Sequence, residues 1–199
     1  MRPAVTVDDA EDLDLSGTPE HNRAAACTLQ SWAAEPHPDD ELSSAALLVR
    51  AGEHLTAADD HEASLALVRR AVEDGGDVDP DVRCYLLSGL LRVGATAEAR
   101  GVVDELRRSR PVSGDVYLFV GEVYEGVGDL DQANRWFTTG VMRLLRREDD
   151  ARPARDAELM ILMAARARVR EALGFPADDL DEEAQQRQAA FARLLEQSS

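Results

Sequence analysis

Apolar residues recur along this 199-residue chain at spacings of three and four, and no stretch alternates with a period of two. That spacing places apolar side chains on one face of an α-helix, so the pattern predicts an all-α fold. Short breaks containing Gly, Asp or Pro separate the segments. The predicted helices cover about 20–34, 40–56, 60–74, 81–93, 97–109, 115–127, 130–147, 155–173 and 180–196.

Local signals support several of these boundaries. Asp129, with Gln132 three residues later, forms a capping-box pattern that predicts a helix start. Gly174 followed by Pro176 predicts a helix end, because glycine tolerates a left-handed conformation and proline cannot continue the helix. Pro38, followed by three acidic residues at 39–41, is typical of a first helical turn.

An internal repeat is the strongest feature of the sequence. An offset of 34 residues aligns Val93-Gly94 with Val127-Gly128, and Ala99 with Ala133. Thirty-four residues is the period of tetratricopeptide repeats. In the copy at 114–147 the characteristic positions of that family hold Tyr117, Val120, Gly121, Tyr124, Ala133 and Phe137. The chain therefore resembles the tetratricopeptide repeat (TPR) family.

The resemblance implies a right-handed α-α superhelix of TPR-like helical hairpins, with about three repeats plus flanking helices. Repeats are expected at about 44–79, 80–113 and 114–147, followed by a divergent C-terminal helix pair at 155–196. In the first copy, the family positions hold Leu47, Ala51, Ala63 and Leu67, and an insertion at 75–77 lengthens the next connection by two residues. We expect one repeat domain over 19–199, preceded by a disordered acidic arm at 1–18.

Charge narrows the possible functions. The chain contains 39 acidic residues against 22 basic ones, for a net charge of −17, and all the basic residues are arginine. Without lysine there is no Schiff base and no phosphate-binding Walker lysine. The negative charge argues against binding nucleic acid or an anionic membrane. Residues 1–80 carry a net charge of −13, so the acidity is concentrated near the N-terminus.

The TPR resemblance implies that the first helix of each hairpin lines a concave groove. We therefore expect a non-enzymatic scaffold or adaptor that binds a basic or apolar segment of another protein, because acidic residues dominate those positions. A second copy of the chain is another possible partner, as a self-associating repeat array. The predicted groove residues are Asp81, Cys84, Tyr85, Ser88, Leu91, Arg92, Asp115, Leu118, Glu122 and Glu125.

A second functional interpretation concerns the segment His37-Pro38-Asp39-Asp40-Glu41, which is identical to the short motif of zinc-dependent LmbE-like deacetylases. That resemblance would make a histidine and an aspartate metal ligands and another aspartate the base. The preceding segment is an amphipathic helix instead of a strand, and no His-x-x-His follows. We therefore favour a structural role, and predict no catalytic residue, no bound metal and no cofactor.

Two cysteines, Cys27 and Cys84, do not form a disulfide framework. No export signal is visible, and the longest apolar run, at 159–165, is too short to span a bilayer. We expect a cytoplasmic protein. The absence of lysine, the single isoleucine and the two asparagines indicate a bacterial genome of high GC content. Arg166, Arg168 and Arg170 alternate around their predicted helix and are not expected to form one face.

Overall fold

The computed structural model describes residues 2–13, 15, 17–146 and 152–197. These residues form helices and no strand, which confirms the all-α prediction. None of the helices in this part of the chain is both long and apolar enough to cross a membrane. The helices are α1 (Val7–Glu11), α2 (Pro19–Ala34), α3 (Ser44–Ala57), α4 (His61–Asp74), α5 (Val82–Arg92), α6 (Thr96–Ser109), α7 (Gly114–Gly126), α8 (Leu130–Leu145), α9 (Arg152–Ala172) and α10 (Asp179–Gln197).

Most helix boundaries lie within a few residues of the predicted ones. Asp129 caps α8, accepting a hydrogen bond from the Gln132 amide at 3.1 Å. The start of α3 is the exception, because the acidic segment 39–41 precedes the helix instead of forming its first turn. Ser43 is the N-cap, and its hydroxyl accepts from the Ala46 amide at 3.0 Å. A serine cap satisfies an otherwise unpaired amide, which fixes the start of the helix.

One type of turn closes three successive hairpins. The second residue after the first helix of each pair adopts a left-handed conformation, at Asp59, Gly94 and Gly128, with φ of 62°, 76° and 81°. The next residue then donates its amide to a carbonyl five residues earlier, as Asp60 does to Leu55 at 2.8 Å. The equivalent bonds start at Ala95 and Asp129, with lengths of 2.8 and 2.9 Å. The hairpin is therefore a repeated structural unit.

The C-terminal helix pair uses the same turn. Gly174 has a φ of 73°, and Phe175 donates its amide to the Arg170 carbonyl at 2.9 Å. The predicted helix end at this glycine is confirmed. The sequence shows this pair as divergent, but its connection is built in the same way as those of the preceding hairpins.

The turns also correct the register of the first copy. Asp59 and Gly94 are 35 residues apart, whereas Gly94 and Gly128 are 34 apart, so the insertion adds one residue instead of two. Helix contacts agree, because a Cβ placed on Gly52 would lie 3.2 Å from Val68 Cγ2 of the facing helix. Gly52 therefore takes the small-residue position of its hairpin, in place of Ala51.

The chain divides into two compact units, an N-terminal unit (Met1–Arg108) and a C-terminal unit (Ser109–Ser199). This differs from the single repeat domain that we predict for 19–199. The division falls between the second and third hairpins, close to the predicted repeat boundary at 113. Counted on the sequence, the N-terminal unit carries a net charge of −12 and the C-terminal unit −5.

The first residues differ from the predicted disordered arm. They form the short helix α1, capped by Thr6, which accepts from the Asp9 amide at 3.1 Å. Val5 and Ala10 are 4% and 2% exposed and belong to the same apolar cluster as Leu29 on α2 and Leu47 on α3. The acidic composition suggested disorder, but the apolar residues between the acids supply buried contacts. We call residues 2–13 the N-terminal segment.

In the C-terminal unit, small residues allow α7 and α8 to approach closely. A Cβ on Gly121 would lie 2.1 Å from Phe137 Cε1, and one on Gly140 would lie 2.6 Å from Tyr117 Cβ. Tyr117 also packs against Trp136, with ring centroids 5.8 Å apart. On α10, Ala184 is buried and Leu180 half-buried, while the side chains of Phe191, Leu194 and Leu195 lie outside the described residues.

Candidate functional site

The predicted groove residues of the N-terminal unit lie on α5 or at its cap. Cys84 is fully buried, and this burial raises the pKa of its thiol to about 12. A thiol with such a pKa stays protonated and unreactive at neutral pH. Cys84 is therefore a core residue and presents no surface to a partner, which corrects its assignment to the groove.

Asp81 and Tyr85 are half-buried and already have partners. The Asp81 carboxylate accepts from the Arg83 amide at 2.9 Å and from the Arg83 guanidinium at 3.0 and 2.6 Å. These contacts hold the pKa of Asp81 below its usual value against the opposing effect of burial, which is the larger single contribution. The Tyr85 hydroxyl donates to the Asp79 carbonyl at 2.9 Å. Asp81 therefore caps and stiffens the start of α5.

The remaining predicted residues of this helix are more accessible. Ser88 and Leu91 are half-buried, and Arg92 is exposed in the last turn. A cation in the last turn of a helix interacts favourably with the helix dipole, which is a sufficient structural reason for Arg92. The exposed part of this helix is thus smaller and less acidic than the sequence suggests.

In the C-terminal unit, the predicted groove residues lie on α7. Asp115 and Glu122 are exposed, and Leu118 is half-buried. Glu125 differs, because both of its carboxylate oxygens accept from the Arg168 guanidinium, at 2.9 and 2.7 Å. This pairing holds the pKa of Glu125 below its usual value. Two of the three predicted acids on α7 therefore remain available to a partner.

The three α9 arginines at 166, 168 and 170 do not form one face, as expected, because Arg168 pairs with Glu125 whereas Arg166 and Arg170 act together. One turn apart on the helix, they both reach Asp178 and Asp181 beside the start of α10. Arg166 and Asp181 are both 4% exposed, so this is a buried ionic cluster. The hydrogen bonds from Arg166 are the main reason that the pKa of Asp178 lies well below its usual range, and the charge of Arg170 lowers it further. The cluster holds α10 against α9.

The segment 37–41 also has a structural role. Both oxygens of Asp40 accept from the Arg2 guanidinium, with Nη1 at 2.8 Å from Oδ1. The same carboxylate accepts from the amides of Val5 and His37, each at 2.8 Å. Chiefly through Arg2, the pKa of Asp40 is held well below its usual range. A carboxylate so fully engaged has no free oxygen facing outward, and this arrangement does not favour metal binding.

No group of three or more histidine, cysteine, aspartate or glutamate residues in the described parts of the chain has the arrangement of a metal site. His37 lies 3.8 Å from Asp39 through Nδ1, but the same nitrogen also accepts from the Asp39 amide at 3.2 Å. The His37 imidazole is therefore engaged by the neighbouring Asp39 within the same turn.

A cavity beneath the N-terminal segment was not anticipated from the sequence. It measures about 260 Å³ and is lined on one side by Arg50, Glu53 and His54 of α3, and on the other by Ala10, Glu11, Leu13 and Leu15. Glu53 is exposed overall, but partial desolvation beside the cavity raises the pKa of its carboxyl, with Arg50 opposing that effect. His54 is 3% exposed, and its Nδ1 lies 2.8 Å from the Asn22 amide oxygen.

The corrected register explains why Glu53 escaped notice. When the first copy is shifted by one residue, Glu53 becomes equivalent to Ser88 and Glu122, both of which are predicted groove residues. With the register as first predicted, that position falls on Gly52, which is buried. The sequence could have revealed this register through the turn residues. Asp59 stands where the later copies have Gly94 and Gly128, and aspartate is one of the few other residues that adopt a left-handed conformation.

Comparison with known protein families, with curated proteins and with solved structures finds no significant match to this chain. The candidate site is therefore defined by its own geometry. Each unit has its own candidate surface on the first helices of its hairpins, with the exposed Glu53 on α3 in the N-terminal unit and the exposed Asp115 and Glu122 on α7 in the C-terminal unit.

Proposed function

We propose that this chain is a non-enzymatic interaction module whose hairpins, within each unit, stack in the TPR manner and bind a basic or apolar segment of another protein. The observation that supports it most is the repeated hairpin. The same left-handed turn and the same backbone hydrogen bond recur at Asp59, Gly94 and Gly128. Repeated hairpins of this kind typically present the first helix of each pair as a binding surface.

The charges on those first helices support a basic partner. Glu53 and Glu122 hold equivalent positions and are both exposed, while Asp81 and Glu125 are neutralised by arginines of their own unit. Exposed charges of one sign attract a partner of the opposite sign and exclude partners of the same sign. The selectivity of each unit therefore depends on fewer acids than the sequence suggests.

The proposal is tested with a set of twelve-residue peptides that range from acidic to basic, titrated into the full chain. Peptides that combine arginine or lysine with apolar residues should bind, and acidic peptides should not. Replacing Glu122 with arginine should weaken binding to basic peptides about fivefold or more, since one attraction becomes a repulsion.

The matched control is Asp131→Arg, which reverses an exposed acid on the second helix of the same hairpin. It changes the net charge equally but leaves the first helix intact. If both variants lost the same affinity for basic peptides, the loss would be explained by overall charge and not by the first helix. Preference for acidic peptides, or no binding by any peptide, would contradict the proposal.

A further inference from the structure

The N-terminal segment is bound to the rest of its unit in the way that a peptide ligand is bound. Besides its ion pair with Asp40, the Arg2 guanidinium donates to the Glu35 carbonyl at 2.8 Å and to the Trp32 carbonyl at 3.2 Å. A site that offers a carboxylate and two carbonyls to one side chain selects arginine, because only the planar guanidinium supplies the matching set of donors.

The backbone beyond Arg2 is also held. The Val5 amide donates to Asp40 Oδ1 at 2.8 Å, and its carbonyl accepts from the Glu41 amide at 3.0 Å. The Val7 amide donates to Glu41 Oε2 at 2.9 Å. The Val5 side chain is 4% exposed, within an apolar cluster that includes Val49 of α3. Main-chain hydrogen bonds with one buried side chain are a common mode of recognising an extended segment.

Further along, Ala10 is buried, but a cavity remains between the chain and α3. The cavity of about 260 Å³ lies between α3 and the residues Ala10, Glu11, Leu13 and Leu15, although protein interiors are otherwise closely packed. Among the described residues, neither Arg50 nor Glu53 has an ion-pair partner within 4.0 Å. The segment is thus anchored at Arg2, Val5 and Ala10, and it makes no ion pair with Arg50 or Glu53 and leaves the cavity beside them unfilled.

We infer that the loop at 35–41 and the adjoining side of α3 form a docking surface for an extended protein segment with an arginine followed three residues later by a small apolar residue. In this structure, the chain's own N-terminal segment occupies that surface. The inference rests on the proposed function and deepens it, because Glu53 lies on this side of α3 and is equivalent to Glu122. The basic residue of the partner segment is then the arginine, and its apolar residue is the small one three positions later.

The intramolecular segment competes with any partner, since its tether gives it an effective concentration on the order of millimolar. A partner that also fills the cavity and pairs with Arg50 or Glu53 makes contacts that the internal segment lacks. Exchange between the two occupants would therefore control access to the surface.

The test uses the full chain with Arg2→Ala and Val5→Asp together, which removes the two anchors and leaves the surface unchanged. The probe is a fluorescein-labelled peptide of residues 2–13, acetylated at its N-terminus, and the readout is fluorescence anisotropy. The variant should bind the probe about tenfold or more tightly than the unaltered chain. A probe with Arg2→Gln should bind about tenfold more weakly than the original, as should the original probe with a receptor that also carries Asp40→Asn.

A scrambled probe of the same composition controls for charge and hydrophobicity, and circular dichroism establishes that the variant is folded. If the variant does not fold, excess probe is added to the unaltered chain and the amide resonances of Val5 and Val7 are followed by NMR. Displacement of the N-terminal segment by the probe should shift both resonances.

A folded variant that ignores the probe, or binds the scrambled probe equally well, would overturn the inference and leave the segment as a structural strap. So would unshifted resonances in the second measurement. Persistence of the Glu122 effect on basic peptides would then show that the proposed function survives alone.

Discussion

Each unit of this protein secures one segment with arginine–aspartate contacts, but the two sets of contacts differ in composition. In the N-terminal unit, the side chains of Arg2 and Asp40 are 13% and 7% exposed, and the aspartate also binds two backbone amides. In the C-terminal unit, the side chains of Arg166 and Asp181 are 5% and 6% exposed and belong to a cluster of two arginines and two aspartates.

The difference separates two uses of charge. A buried cluster with balanced charges is strongly destabilised when one member is removed, because the remaining charges lose their partners without regaining water. The Arg2–Asp40 pair holds one short segment, so its loss should release that segment by local opening and leave the helices of the unit folded. We therefore expect the C-terminal cluster to maintain the fold, and the Arg2–Asp40 contact to control whether a segment stays bound.

The largest expected effect is that of Asp181→Asn. The substitution leaves Arg166 and Arg170 with one carboxylate between them, so the C-terminal unit should lose about 3 kcal/mol or more of unfolding free energy. Urea unfolding is followed by fluorescence of Trp136 in a Trp32→Phe background, since each unit contains one tryptophan. Asp179→Asn, an exposed neighbour, is the control and should change stability by less than about 0.5 kcal/mol. A loss below about 1 kcal/mol for Asp181→Asn would refute the buried-cluster account.

Gly121→Ala and Gly52→Ala compare the same position in the two units. The added methyl would lie 2.1 Å from the Phe137 ring in the first case and 3.2 Å from Val68 Cγ2 in the second. Overpacking should cost about 1–3 kcal/mol at Gly121 and clearly less at Gly52, where the better helix propensity of alanine offsets part of the strain. Gly126→Ala, with open space around its Cβ, is the control for propensity. Equal losses at the two sites would contradict the described helix contacts.

Acid should weaken both units. The pKa values of Asp40 and Asp178 lie below those of an unfolded chain, chiefly because of Arg2 and Arg166 respectively. A lowered folded-state pKa stabilises the fold above the unfolded value, near pH 4, and that contribution is lost as the pH falls below it. Urea midpoints measured from pH 7 to pH 3 should therefore drop more for the unaltered chain than for a variant with Asp40→Asn and Asp178→Asn. Parallel curves would refute the assignment.

The sequence predicted the helices well, because apolar spacing and capping residues act locally. It failed where the result depends on contacts between distant residues. Nothing near Asp40 indicates that Arg2 will bind it, 38 positions earlier, and the acidic composition of the arm concealed the apolar residues that become buried. Likewise, the burial of Cys84 and the pairing of Glu125 with Arg168 depend on packing that the repeat pattern does not specify.

The smallest expected effect concerns the turn that the hairpins share. Asp59 adopts the left-handed conformation that glycine provides at positions 94 and 128. Because a side chain is disfavoured there, Asp59→Gly should stabilise the N-terminal unit by about 0.5–1 kcal/mol, and Gly94→Asp should destabilise it by a similar amount. Both are measured by urea unfolding with Trp32 as the probe in a Trp136→Phe background. Destabilisation by Asp59→Gly would show that the aspartate side chain contributes more than its backbone strain costs.

The central claim is that Asp40 holds the N-terminal segment in place, and amide hydrogen exchange of the full chain tests it most directly. We expect slow exchange at Val5 and Val7 in the unaltered chain, with protection lost in Asp40→Ala. The Gly114 amide, which donates to Glu158 in the other unit at 2.9 Å, should stay unchanged. Exchange of Val5 and Val7 at unfolded-chain rates in the unaltered protein, or protection that persists without the Asp40 carboxylate, would contradict the account.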